Sequence, residues 1–109
     1  MKLNQLTTAY YHVTPSKNVA SIMKTGLEPR IGDRSKILEL KKAIYLFGSI
    51  TDVEDAVSGW LGDQFGKENK LSLLRIDLPN DTSVKQVAFE YQVFCPIAPD
   101  YITVENNNY

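Results

Sequence analysis

The stretch Leu71 to Leu78, Leu-Ser-Leu-Leu-Arg-Ile-Asp-Leu, constrains the fold more than any other part of this chain. Side chains of an extended segment alternate between faces, so Leu71 and Leu73 share one face while Leu74, Ile76 and Leu78 share the other. A strand that must bury both of its faces belongs inside a sheet rather than at its rim. The 109 residues hold one domain, residues 1–109, and leave no room for a second independent core. A domain of this size can fold without covalent staples. Cys95 is the only cysteine, so no intrachain disulfide forms, a usage that leans towards a reducing compartment.

The remaining pattern places helices and further strands around that segment. Thr8 to Thr14 is aromatic and β-branched and reads as a strand, with Tyr10, His12 and Thr14 on one face and Tyr11 and Val13 on the other. Pro15 closes it. Ser16 is placed to cap a helix reaching Lys24, with Val19, Ile22 and Met23 at helical spacing and Gly26 after the last turn. Leu27 to Leu40 reads as a long loop, with a short helical turn near Ile37 to Lys42. Ala43 to Phe47 is a buried strand by composition, ended by Gly48. Thr51 and Glu54 fit a capping box, heading a helix whose apolar stripe is Val53, Ala56, Val57, Trp60 and Leu61. After a turn at Pro79-Asn-Asp, strands are expected at Val84 to Val87, Phe89 to Phe94 and Tyr101 to Val104, and a frayed tail from Asn106. Strands gathered in the second half predict an α+β domain, with a mostly antiparallel or mixed sheet and two main helices to one side.

Composition excludes several functions. Twelve Lys and Arg against thirteen Asp and Glu give a net charge of −1, without the basic excess of a general nucleic-acid binder. The six basic and three acidic residues from Lys24 to Lys42 read as a solvated face. No apolar run is long enough to span a membrane, and Met1 to Thr8 lacks the apolar core of a secretion signal. This fits a cytoplasmic protein, or an effector domain whose address lies elsewhere. One His and one Cys cannot build a structural zinc site, so no metal is expected. Phosphate-binding glycine motifs and a serine nucleophile elbow are missing.

Three residues could carry chemistry, and each has an ordinary explanation beside the functional one. His12, the only imidazole, could be a half-buried, satisfied strand residue. Tyr45 could be core packing. Glu90, between Phe89 and Tyr91 in a segment that otherwise reads as buried, could instead face solvent.

Their surroundings resemble a known arrangement. Tyr11-His-Val-Thr14, followed by a helix ending at Gly26-Leu27, resembles the opening of the ADP-ribosyltransferase fold of the diphtheria-toxin and poly(ADP-ribose) polymerase type. Ala43-Ile-Tyr-Leu-Phe47 is similar to that group's second motif, G-I-Y-F-A before a helix, and Phe89-Glu-Tyr-Gln-Val-Phe94 to its third, N-E-Y-I-V-Y. The likeness runs from about Tyr10 to Val104. It departs at Ala43, where a glycine is usual, and at Ser58 and Trp60, where many relatives have a second stacking tyrosine. Ala88 stands where arginine-specific transferases carry Glu or Gln, so the resemblance does not extend to that specificity.

The resemblance implies NAD as substrate and no metal. His12 would bond a ribose hydroxyl, the Val13 backbone would hold the nicotinamide amide, and Tyr45 would stack on the nicotinamide ring. Glu90 would bond the 2′-hydroxyl of the nicotinamide ribose, and Arg30 would contact the adenosine or diphosphate. Breaking the nicotinamide–ribose bond builds positive charge on the sugar, as in glycoside hydrolysis, and a fixed carboxylate stabilises that charge most in the transition state. The implied activity is mono-ADP-ribosyl transfer to an unidentified macromolecule or small molecule, in a bacterial or phage effector or toxin that would meet a target or immunity protein. Water could also be the acceptor. Two alternatives stand beside it: an RNA 2′-phosphotransferase-like enzyme, a family that wants several arginines around the phosphate and is poorly fitted by a histidine followed by Val-Thr with Glu90, and a non-catalytic module using the same cleft for binding. The catalytic reading rests on the imidazole of His12 and the carboxyl of Glu90 meeting one dinucleotide in one cleft. A carboxyl on the far side of the sheet from the imidazole would take that basis away and leave a folded domain of unassigned purpose.

Overall fold

The computed structural model describes residues 6–30, 42–59, 70–87, 90–107 and 109. Six strands, β1 (Thr7–Pro15), β2 (Ile44–Phe47), β3 (Leu71–Pro79), β4 (Lys85–Val87), β5 (Glu90–Val93) and β6 (Ile102–Asn106), form one sheet ordered β4-β5-β2-β1-β3-β6. Every pairing between them is antiparallel. Among the described residues two α-helices, α1 (Val19–Thr25) and α2 (Ile50–Ser58), join the sheet in an α+β fold. β3 lies between β1 and β6, inside the sheet, as its two apolar faces require.

Those faces feed two separate cores. Leu74, Ile76 and Leu78 join Ile44, Leu46, Val93 and Ile102 on one side, with Tyr10 and Ile22 packed against them. Leu71 and Leu73 join Val13, Phe47, Val53 and Ala56 on the other, with Tyr11 and Val57 alongside. The helices therefore cover opposite faces, α1 through Ile22 and α2 through Val53 and Ala56, and not one side as the element order had implied. A sheet apolar on both faces needs a cover on each.

Both helix starts differ from the sequence reading. Ser16 does not cap α1: its hydroxyl bonds that of Ser72 at 2.7 Å across the β1–β3 pair, and a 3-10 turn over Ser16–Asn18 leads into the helix at Val19. At α2 the cap is Ser49, in an extended backbone conformation, whose Oγ accepts from the Asp52 N–H at 3.1 Å. Thr51 lies inside the first turn, where its hydroxyl is too late to cap. At the end of α1, Gly26 takes φ +88°, a conformation that L side chains rarely adopt. A Cβ there would run into the Ile97 carbonyl oxygen, because Leu27 and Ile97 exchange both backbone hydrogen bonds at 2.9 Å.

The C-terminal segment is held rather than frayed. The Tyr109 N–H donates to the Leu71 carbonyl at 3.0 Å, and its ring packs against the second core. The expected turn near Ile37, and the expected roles of Trp60, Leu61, Ala88 and Phe89, lie outside the described residues.

Candidate functional site

β1 and β2 share one register pair. Whereas β1 pairs with β3 along its whole length, from Thr7↔Pro79 to Pro15↔Leu71, its single register pair with β2 among the described residues is Tyr11↔Phe47. Continued in register, the further pairs would be His12 with Leu46, Val13 with Tyr45, Thr14 with Ile44 and Pro15 with Ala43. Instead the His12 ring fills the seam, its Nδ1 donating to the Tyr45 carbonyl at 2.9 Å. Ala43 exchanges both of its backbone hydrogen bonds with Arg30 at 3.1 Å. A side chain and a loop residue thus serve β2 where β1 leaves it, and the sheet forks.

The fork opens on a cavity of about 400 Å³. That size lies within the roughly 300–1,000 Å³ range of small-molecule sites. His12 and Thr14 from β1, one face of α1, the Gly26 to Arg30 segment and Ala43 to Tyr45 line it. His12 and Tyr45 are half-buried there, while Arg30 is exposed at the margin. Burial pushes the His12 pKa below its ordinary value, partly opposed by the bond to Tyr45. A carbonyl only accepts, so this bond also fixes the tautomer: Nδ1 carries the proton and Nε2 is an acceptor.

The cavity gathers His12, Tyr45 and Arg30, but neither Glu90 nor Val13 lines it. Glu90 stands opposite Phe47, which stands opposite Tyr11, so these three share a sheet face. His12, one residue on from Tyr11, pairs with Leu74 and belongs to the other face. The two groups expected to meet in one cleft are therefore on opposite faces, on either side of the forked seam. Glu90 is buried at 5 % exposure, not turned to solvent. Tyr45 opposite Gln92 and Phe47 opposite Glu90 set these four side chains side by side on the second face.

The sequence reading missed the polar face that α1 and Asn18 just before it turn to the cavity. Asn18, Ser21 and Thr25 all line it, at spacings of three and four residues that mark one side of a helix. Their spacing was the available signal. Thr25 bonds the Ser21 carbonyl at 3.0 Å, so its proton is committed to its own helix. Among the described residues no three metal-binding side chains cluster, and no helix is long and apolar enough to cross a membrane. The chain matches no protein-family model, no curated protein and no solved structure.

Proposed function

We propose that the chain binds NAD across the β1–β2 fork and cleaves its nicotinamide–ribose bond, passing ADP-ribose to a macromolecular or small-molecule acceptor or to water. The observation that supports this most is the seam itself. An unbroken sheet would keep His12 and Glu90 from meeting one ligand. A seam held by a single register pair and an imidazole lets an extended ligand lie over it and meet groups from both faces.

The residue chemistry agrees with that path. The cavity suits a nucleoside-sized piece of the dinucleotide, with the acceptor Nε2 of His12 available to a ribose hydroxyl and Arg30 at the margin for a phosphate. On the second face Tyr45 offers a ring for the nicotinamide, and Glu90 a carboxylate for the sugar on which positive charge develops. The Val13 backbone, which has no register pair with β2, is the one the nicotinamide amide would meet on this path.

Two observations favour a second reading, a non-catalytic module that binds a ligand or partner through the cavity: Glu90 does not line it, and Glu90 lies on the sheet face opposite His12. Incubating the protein with NAD and quantifying free nicotinamide separates the two. Release that Glu90→Ala removes supports cleavage. Binding of NAD without release assigns the cavity to the binding module, and absence of both defeats the NAD reading.

A further inference from the structure

Gln92 is 4 % exposed, and among the described residues its Oε1 has no hydrogen-bond partner. A buried acceptor left unpaired has given up its bonds to water for nothing within the fold, and such atoms are uncommon enough to need a cause. Core packing supplies none, because an apolar side chain would fill this strand position without the loss. The register supplies a candidate. Gln92 stands directly opposite Tyr45 and shares its face with Glu90, two residues earlier on β5. Cβ atoms of such opposite pairs lie about 5 Å apart.

We propose that Gln92 is a specificity-determining residue, whose Oε1 accepts a hydrogen bond from the carboxamide N–H of the substrate's nicotinamide. This rests on the NAD reading above. With the pyridine ring against Tyr45 and the ribose at Glu90, Gln92 is the side chain opposite the ring. The carboxamide NH2 is the only hydrogen-bond donor on the pyridine ring. It carries two hydrogens, so a backbone carbonyl at Val13 and the Gln92 oxygen can each take one.

The test compares NAD with 3-acetylpyridine adenine dinucleotide, in which a methyl group replaces the NH2 while the carbonyl stays. Release of the free pyridine base gives kcat/KM for each, in the wild type and in Gln92→Met and Gln92→Ile. Met matches Gln in length and Ile suits a strand, and neither carries an acceptor, so the pair guards against one variant failing to fold. The intrinsic difference between the two leaving groups cancels when each variant's preference is divided by the wild type's. The preference for NAD should fall about tenfold in both variants, the effect of one lost neutral hydrogen bond. An unchanged preference overturns this inference and leaves NAD cleavage standing. A wild type that releases no nicotinamide from NAD overturns both.

Discussion

His12 Nδ1 donates to the Tyr45 carbonyl oxygen at 2.9 Å, so a side chain of β1 occupies the place of a backbone donor to β2. This bond spans 33 residues of sequence and closes the open side of the seam. It joins the fold's integrity and the proposed ligand site in one imidazole.

The protonation state of that ring should govern stability at mildly acid pH. An unfolded histidine titrates near 6.5. Burial lowers the folded value, so below about 6.5 the unfolded chain holds more protons. The contribution of neutral His12 is complete above that pH and drains away as pH falls towards the folded value. Urea midpoints measured at pH 7.5 and 5.5 should show the acid loss, and His12→Gln should shrink it. NAD binding should weaken over the same range, because a protonated Nε2 no longer accepts.

Glu90→Gln keeps the shape of the side chain and removes its charge. If the carboxylate faces the developing positive charge on the sugar, nicotinamide release should drop by about 10²–10⁴-fold. NAD affinity should change far less, since the loss falls on the transition state. Single-turnover kinetics beside calorimetric binding would separate the two, and equal losses in both would place Glu90 in ground-state binding alone.

Ser49 and Thr51 offer a paired test of the α2 cap. Ser49→Ala removes the acceptor for the Asp52 N–H and should cost about 1 kcal/mol. Thr51→Ala should cost little or slightly stabilise, as alanine favours a helix interior. Chemical denaturation of both variants decides it, and a larger loss at Thr51 would mean that the helix starts later.

Gly26→Ala asks a residue with a side chain to adopt φ +88° and places its Cβ against the Ile97 carbonyl oxygen. The loss should exceed about 1 kcal/mol. Because Gly26 also lines the cavity, any folded fraction should bind NAD more weakly. Thermal unfolding with and without NAD would report both effects. Gly59→Ala, where an added Cβ comes no closer than 3.5 Å to the Asp55 carbonyl oxygen, is the mild comparison.

The strands were legible because their signal is local. Alternation in β1 assigned Tyr10 and His12 to one face and Tyr11 and Val13 to the other, and the two cores bear that out. Apolar side chains on both faces of Leu71 to Leu78 marked an interior strand. Caps were misread because several hydroxyls near a helix start can accept from its first turn. Which one does depends on tertiary partners, as Ser72 shows by engaging Ser16. The fork was illegible for a stronger reason. Nothing between Thr7 and Phe47 announces that two strands will meet at one pair and part, since register depends on β3 and β5, which come later in the chain. Reading the faces of β1 and β5 separately could not reveal that His12 and Glu90 lie on opposite sides.

The strand order also dictates a schedule. β1 finds its long partner in β3, with Thr7 facing a residue 72 positions downstream, while its neighbour β2 holds it by one register pair and the His12–Tyr45 bond. During synthesis β1 emerges before β3 and must wait for residues 71–79 to make its long pairing. Loop closure over that distance precedes any reward from pairing, so refolding should be slow for a chain of this length, in milliseconds to seconds. Until then, β1 is the sticky edge most exposed to the wrong neighbour.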